Sequence, residues 1–197
     1  MAALPDFTDT SRFPTFATIP EAGGEAPPPP EPWYLLARIK DDMTITKPTL
    51  VALDRAGSPF ALLFEGFDRD GIDLKGRGLK KGATVVVPRA LRTPPATEGK
   101  RGFVRVDKPD ANSVKAIPGP LERVLELGSG SGSAAPAAGC SSCGADGQDE
   151  QAKLAKCTGC GRARYCGKDC QVKGWNEGHK GDCKIYKALD SIFSPSA

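Results

Sequence analysis

Seven cysteines and the only histidine of this 197-residue chain fall within one short segment. The segment runs from Cys140 to Cys183 and reads C-x2-C, a gap, then C-x2-C-x5-C-x3-C-x8-H-x3-C. Zn²⁺ takes four thiolate or imidazole ligands in a tetrahedron, and both cysteines of a C-x2-C turn reach one ion. Eight ligands fill two such sites and leave no position for the water that a catalytic zinc needs. We therefore expect two structural Zn²⁺ ions.

Disulfide bonds are the alternative use of these cysteines. The chain opens without the charged and apolar regions of an export signal, and an odd number of cysteines cannot pair completely. Helical spacing also favours a metal, because His179 and Cys183 are four residues apart and such a pair shares one face of a helix. Cys166 and Cys170 have the same spacing. Spacing alone allows either a sequential grouping, the first four and the last four ligands, or an interleaved one.

The segment also includes the pair Tyr165-Cys166, the pair Cys170-Gln171, Trp175 four residues after the glutamine, and a final histidine and cysteine. With these residues between and beside its ligands, the segment resembles the MYND zinc finger. The resemblance covers residues 140–183 and implies interleaved sites. It assigns the first ion to Cys140, Cys143, Cys166 and Cys170, and the second to Cys157, Cys160, His179 and Cys183. The polar gap from Gly144 to Lys156 is a departure from the family pattern.

The resemblance also implies a partner, because MYND fingers bind proline-rich peptides. The matching residues are Gln171 and Trp175, which share a helical face, and Thr158 beside them. An indole offers a surface for proline rings, and the neighbouring amide can hydrogen-bond the peptide backbone. The alternative is that Trp175 packs the core of the small finger. We expect an adaptor or regulatory protein that recognises proline-rich segments.

The ligands follow a longer region, residues 33–127, which has short apolar runs separated by turn residues. The runs are Trp33 to Ile39, Thr49 to Leu53, Phe60 to Glu65, Ala83 to Pro88, Phe103 to Val106, and Val114 to Ile117. These are strand lengths, and no long helical pattern interrupts them. We predict a small antiparallel β-barrel, OB-like, because closure removes exposed edges. A short helix should follow, with Leu121, Val124 and Leu125 on one face and Gly128 at its end.

The remaining segments are predicted from composition. Residues 1–32 are acidic and proline-rich, so we expect disorder, although Phe7, Phe13 and Phe16 could dock on another part of the protein. The tract Pro27 to Pro32 should be polyproline II, as a stiff spacer or, as the alternative, a ligand for a proline-reading module. Residues 128–139 are Gly, Ser, Ala and Pro and read as a flexible linker between barrel and finger. Residues 184–197 should form a C-terminal helix and tail. Its apolar residues recur at helical spacing and should pack on the finger: Ile185, Tyr186, Leu189, Ile192 and Phe193.

Charge suggests an alternative function. Residues 33–127 hold 17 Lys and Arg against 12 acids, and a basic OB-like barrel with aromatic platforms could bind single-stranded nucleic acid. Phe60 and Phe64 alternate onto one face and are expected in the core, so nucleic-acid binding is not our first interpretation. The basic residues of the finger, Arg162, Arg164, Lys168 and Lys173, are expected to solvate the surface and offset anionic zinc clusters.

The length of the chain and the assignment of its only histidine argue against an enzyme. Some MYND fingers belong to SET-domain methyltransferases, but this chain is too short for that domain, and its only histidine is assigned to zinc. No glycine-rich phosphate loop follows a convincing strand. We expect a non-enzymatic intracellular protein, nuclear or cytoplasmic, with no membrane partner.

Overall fold

A computed structural model describes residues 4–24, 31–95, 97, 101–128, 139–145 and 154–194. The chain divides into two compact units. One comprises residues 7–122, here the sheet unit, and the other comprises the described residues from Arg123 onward together with residues 4–6. The division falls inside the helix that closes the predicted barrel domain. The tract Pro27 to Pro30 and the predicted linker, apart from its two end residues, lie outside the described residues.

The sheet unit is built on one seven-stranded sheet in the order β5-β6-β3-β2-β1-β4-β7. The strands are β1 (Tyr34–Asp42), β2 (Thr49–Asp54), β3 (Pro59–Glu65), β4 (Thr84–Pro88), β5 (Arg92–Thr93), β6 (Phe103–Asp107) and β7 (Lys115–Ile117). A 3₁₀ turn, Lys108–Asn112, joins the last two. All six predicted runs coincide with strands to within one to three residues at their ends.

The closed antiparallel barrel that we predicted is not confirmed. β3 and β6 pair in parallel, while the other neighbours are antiparallel. After β3 the chain crosses to the far side of β1 and forms β4 there. It returns to the other edge of the sheet with β5 and then β6, and β6 runs in the same direction as β3. In the described part of the chain, no pairing joins the edge strands β5 and β7. The sheet is mixed and open.

One face of the sheet carries the apolar core. Burial alternates along β2 and β3, as expected when successive side chains point to opposite faces. Leu50, Leu62 and Phe64 are fully buried on the core face, and Phe60 lies beside them. The prediction that the rings of Phe60 and Phe64 belong to the core is therefore confirmed.

The hairpin between β2 and β3 is organised by one buried carboxylate. Asp54 Oδ1 accepts hydrogen bonds from the backbone N–H groups of Ala56 (2.9 Å) and Ser58 (2.8 Å). Its Oδ2 accepts a third from the N–H of Phe16 (2.8 Å). Gly57 has φ +76°, a conformation that a side chain disfavours. The hairpin therefore also anchors a segment 38 residues earlier.

Over the described residues 4–24 the structure shows order where we expected disorder, and the three phenylalanines dock as the sequence analysis allowed. Phe7, Phe13 and Phe16 are buried, and Phe16 stacks on Phe60 with ring centroids 4.8 Å apart. Arg55 also donates to the carbonyl oxygen of Phe7. Each aromatic ring finds its own site in the tertiary structure, without periodic spacing in the sequence, so composition gave no sign of it.

The second unit contains only short strands and helices among its described residues. Its elements are helix α1 (Leu121–Gly128, shared at its start with the sheet unit), strands β8 (Ala155–Lys156) and β9 (Arg164–Tyr165), helix α2 (Lys168–Gly174), a wide helical turn (Trp175–His179) and helix α3 (Lys180–Phe193). α3 confirms the predicted C-terminal helix and begins earlier than expected, so Cys183 lies within it. Ile185, Tyr186 and Leu189 are its buried apolar residues. None of the described helices is both long and apolar enough to cross a membrane.

Candidate metal centre

The two C-x2-C pairs form turns of the same design. In each, the residue after the second cysteine is a glycine with positive φ, Gly144 at +73° and Gly161 at +66°. The N–H of that glycine donates to the carbonyl oxygen of the first cysteine, over 2.9 Å at Cys140 and 2.7 Å at Cys157. Glycine adopts this left-handed conformation without the steric cost that other residues meet. Each turn thereby directs two sulfur atoms to one side.

The hairpin of β8 and β9 explains how the ligands are shared. Ala155 pairs with Tyr165, and Lys156 pairs with Arg164. Because the strands are antiparallel, Cys157 after β8 and Cys166 after β9 leave the hairpin at opposite ends. Neighbouring ligands in the sequence are therefore sent to different sites.

Ser141 ties the first turn to the hairpin. Its N–H donates to the carbonyl oxygen of Arg164 (2.7 Å), and its hydroxyl oxygen accepts from the N–H of Arg164 (3.1 Å). These two bonds hold Cys140 and Cys143 close to Cys166, two residues further along. A cysteine pair distant in sequence is thus brought to the end of β9.

The last ligands come from the helical segment. Cys170 lies in α2, His179 is the last residue of the wide turn and directly precedes α3, and Cys183 lies in the first turn of α3. Between the helices, Gly178 has φ +147°, and this kink turns α3 away from the direction of α2. The predicted helical pairing of His179 with Cys183 holds, but Cys166 precedes α2 and is not on a helix with Cys170.

The eight side chains meet in two groups whose ligand atoms lie within 4.8 Å of one another. The exposed cluster is Cys140, Cys143, Cys166 and Cys170, and the buried cluster is Cys157, Cys160, His179 and Cys183. This is the interleaved grouping, and the sequential alternative does not describe the structure. The names follow burial: Cys143 and Cys166 are exposed, whereas all four members of the buried cluster are buried.

The distances fit zinc. Bonds of about 2.3 Å in a tetrahedron place neighbouring sulfur atoms about 3.8 Å apart. The Sγ atoms of Cys143 and Cys166 are 3.7 Å apart, and those of Cys157 and Cys183 are 4.0 Å apart. Cys160 Sγ lies 3.7 Å from His179 Nε2, which identifies the ring nitrogen that faces the site. Each cluster can therefore bind one zinc ion with four protein ligands.

The pKa values of the clustered thiols also indicate that a bound cation would stabilise the clusters. Burial opposes the charge on Cys140, yet the N–H groups of Cys143, Ser142 and Cys166 lower its pKa to about 6. Burial, together with the negative charge of Cys160 and Cys157, raises the pKa of Cys183 to about 12. Four thiolates, or three thiolates and an imidazole, can stay together in their ligand forms when a divalent cation offsets part of their negative charge.

Two arginine–aspartate pairs brace α3, which carries the last ligand. Arg162 makes a bidentate contact with Asp190 and lies over the ring of Tyr186, 5.7 Å from its centroid. Arg123 of α1 makes a second one with Asp182, at 2.8 and 2.6 Å. Bidentate pairing fixes geometry as well as charge. Sequence reasoning missed both pairs, since their members are 28 and 59 residues apart.

Arg162 therefore differs from its predicted role as a surface-solvating residue. Only 10% of its side chain is exposed, because it is enclosed by the pair with Asp190. Lys173 matches the prediction better, since its side chain is 62% exposed and lies 3.9 Å from Glu177.

Two of the predicted peptide-binding residues, Thr158 and Trp175, lie beside the buried cluster, whereas Gln171 follows Cys170 of the exposed cluster. Thr158 is exposed in the turn between Cys157 and Cys160, and Gln171 is exposed on α2. Trp175 follows α2, and its ring meets the imidazole of His179 edge to face, with centroids 5.9 Å apart. Val172 is a further exposed apolar residue of α2 that the sequence analysis did not single out, although its i, i+3 spacing to Trp175 was visible.

Comparison with known families agrees with this geometry. Two closed sites of thiolate and imidazole ligands on a short hairpin and two helices define a structural zinc finger. Residues 140–183 match the model of the MYND finger. This part of the chain is a MYND finger, a zinc-binding module of protein–protein interaction. No curated protein matches the chain.

Proposed function

We propose that the finger binds a proline-rich segment of a partner protein. The contact surface would consist of Gln171, Val172 and Trp175, with Thr158 as a polar neighbour. The observation that carries the proposal is the exposure of Trp175, which is 39%, whereas Tyr165 and Tyr186 are buried. A ring that packed the core of the finger would be enclosed like the two tyrosines, and an exposed indole is a surface on which proline rings pack.

The contacts of Trp175 favour a rigid platform. Its ring rests against His179, which belongs to the buried cluster. An imidazole held by a metal cannot rotate freely, so the indole is restrained before a ligand arrives, and a pre-ordered side chain costs less entropy on binding. Val172, 52% exposed and three residues earlier, extends the apolar surface along the helix.

The amide of Gln171 supplies the directional part of the contact. Proline-rich peptides adopt an extended polyproline II conformation and leave their backbone carbonyl groups free, because proline has no N–H. The exposed Gln171 NH₂ group can donate to such a carbonyl beside the indole. Rings on the indole and a hydrogen bond to the backbone together recognise the conformation more than the identity of each residue.

We propose further that the protein acts without catalysis, as an adaptor or regulatory component. Every cysteine and the only histidine of the chain lie in the two clusters, so they serve as ligands and not as a nucleophile with its base. Nucleic-acid binding through the basic sheet unit has less support, because Phe60 and Phe64 are in the core and cannot act as stacking platforms.

Replacing Trp175 by alanine should remove most of the affinity for a proline-rich peptide. We expect a loss of about 2 kcal/mol, roughly thirtyfold in Kd, because a central indole carries a large share of the energy in small interfaces. The measurement is calorimetric titration of a proline-rich peptide selected from a library, with zinc analysis of the same samples. Lys184→Ala, an exposed change elsewhere on α3, is the matched control.

The zinc content separates the two roles of the ring. Two zinc ions retained by the Trp175→Ala variant, with binding lost, support the proposal. A variant that keeps its zinc and binds as tightly as the Lys184→Ala control would place the peptide elsewhere. Loss of zinc would show that the indole is a structural part of the finger, and the exposed role proposed for it would then be wrong.

A further inference from the structure

The sheet unit has an apolar groove on the face opposite its core. This outer groove has a volume of about 380 Å³ and lies across β2, β3 and β6. Its lining is largely apolar, although the side chains of Val51, Ala61, Leu63 and Phe103 are only half-buried. On the same face, Leu36 and Val86 of β1 and β4 are buried. The open apolar area is therefore confined to one half of the sheet face.

The strand register sets out the groove in rows. Val51 pairs with Ala61, which pairs in parallel with Phe103, so these three side chains form the middle row. Thr49 pairs with Leu63, which pairs with Arg105, and they form the next row. Side chains opposite each other in a sheet share a face and lie in contact range. The middle row thus has an aromatic ring on β6, with Thr93 of β5 beyond it, and the next row ends at the cation of Arg105.

Phe103 lies between two arginines on this edge of the groove. Arg101 and Arg105 are two residues before and after it, so each is about 7 Å along the strand direction. Arg105 Cζ is 5.8 Å from the centroid of the Phe103 ring, and Arg101 lines the groove. Among the described residues, neither guanidinium lies within ion-pair distance of a carboxylate. The nearby Glu65 is already paired with Lys47, at 2.5 Å.

We propose that the outer groove binds an extended acidic segment of another protein. One large apolar side chain of that segment lies on the row of Val51, Ala61 and Phe103. An Asp or Glu two residues away on each side meets Arg101 and Arg105, because residues i and i+2 of an extended chain point the same way at the spacing of the two arginines. The proposal concerns the sheet unit and is independent of the peptide surface proposed for the finger.

The same cations could attract single-stranded nucleic acid, but the groove favours a peptide. Stacking of successive bases needs several exposed aromatic rings. Phe103 is the one aromatic ring among the half-exposed residues of the rows, and its neighbours are aliphatic. Aliphatic side chains match the apolar side chain of a peptide and offer no stacking surface for a second base. A second copy of this chain is also a less suitable occupant. It would bring its own Arg101 and Arg105 against the same residues of the first copy, and the like charges would repel.

The test uses the full-length, zinc-loaded protein and fluorescence anisotropy. The probe is a labelled 12-residue synthetic peptide with leucine at its centre and glutamate two residues to either side, and a version with lysine at both positions is its control. The test variant is Arg101→Glu with Arg105→Glu. The matched variant is Lys80→Glu with Lys81→Glu, which makes the same charge change at exposed positions away from the groove.

The wild type and the lysine-reversed control variant should bind the glutamate peptide alike, and the arginine-reversed variant should bind it roughly tenfold more weakly. That variant should in turn prefer the lysine peptide. Trp175→Ala should change neither result. If both charge-reversed variants bind the glutamate peptide equally weakly, the loss of affinity comes from the overall charge of the protein and not from the groove. That result would overturn the proposal.

Two other occupants would also overturn it. An oligothymidylate that binds more tightly than the peptide, and is lost in the arginine-reversed variant, would make the groove a nucleic-acid site. A dimer in sedimentation velocity that Phe103→Ser dissociates would make it an interface between two copies of the chain.

Discussion

The sheet unit and the finger differ in how much regular structure supports them. In the sheet unit, β1 to β4 have five to nine residues each and carry buried Leu, Val and Phe side chains. In the finger, β8 and β9 have two residues each, and α2 has seven. Isolated helices of that length are not stable in water, and a small core cannot offset the entropy of ordering the chain. The comparison teaches that one unit folds around apolar side chains and the other around metal ligands.

Removing zinc should unfold the finger and spare the sheet unit. Metal binding contributes on the order of 10 kcal/mol per structural site in small fingers, which is comparable to the whole stability of a typical domain, about 5 to 15 kcal/mol. Amide NMR signals of residues 139–145 and 154–193 should collapse into the narrow range of an unfolded chain after treatment with a strong chelator, while those of β1 to β4 keep their positions. A finger that keeps its dispersed signals after zinc analysis reads zero would contradict the comparison, as would collapse of both sets.

A cavity in the core of the sheet unit should destabilise that unit and leave the finger folded. Phe64→Ala removes a fully buried ring, and we expect the free energy of unfolding of the sheet unit to fall by about 3 to 5 kcal/mol. Zinc content should stay at two ions per chain. Chemical denaturation followed by signals of the sheet unit, beside elemental analysis, makes the measurement. Loss of zinc from this variant would mean that the finger depends on the apolar core of the sheet unit.

The two ion pairs of the finger should contribute unequally to its stability. Arg162→Ala leaves Asp190 without its partner at a site that is largely enclosed, and we expect the zinc-loaded finger to lose about 2 to 3 kcal/mol. Lys173→Ala breaks the exposed pair with Glu177 and should cost less than about 1 kcal/mol. Denaturation of both variants at fixed zinc concentration compares them. Equal losses would show that burial of the Arg162 pair does not matter.

The two clusters should also differ from each other, by a smaller margin. Chelators and thiol reagents reach Cys143 and Cys166 directly, whereas the buried cluster must open first. We expect the first zinc ion to leave roughly ten times faster than the second under the same chelator. Mass spectrometry of alkylated intermediates should find labels first on the exposed cluster. Labels that appear first on Cys157 and Cys160 would reverse the assignment.

The ligands were predictable from the sequence because soft ligands at these spacings have few other uses in one chain. Their grouping was not predictable from spacing. It depends on the antiparallel hairpin, whose strands of two residues leave no periodic signal, and the interleaving came instead from the resemblance carried by Gln171 and Trp175. The two arginine–aspartate pairs of α3 were not predictable either, because no local sequence pattern relates Arg162 to Asp190.

The strands of the sheet unit were predictable because apolar runs between turn residues report burial directly. Closure was not, because it depends on which strand β6 joins, and the parallel pairing of Ala61 with Phe103 has no signature in either strand. The sites that the N-terminal phenylalanines occupy were not predictable for a related reason. Phe7 and Phe16 are held by sites far along the chain, and composition measures only what a segment can bury by itself.

The central claim is that two zinc ions are held by interleaved ligands, and cadmium-113 NMR of the cadmium-substituted protein tests it most directly. Through-bond correlation between each cadmium and the β-protons of its cysteines identifies the ligands one by one. The structure predicts two cadmium signals, with the one coupled to His179 also coupled to Cys157, Cys160 and Cys183. A single signal, or coupling of the histidine-bound ion to Cys166 and Cys170, would contradict it.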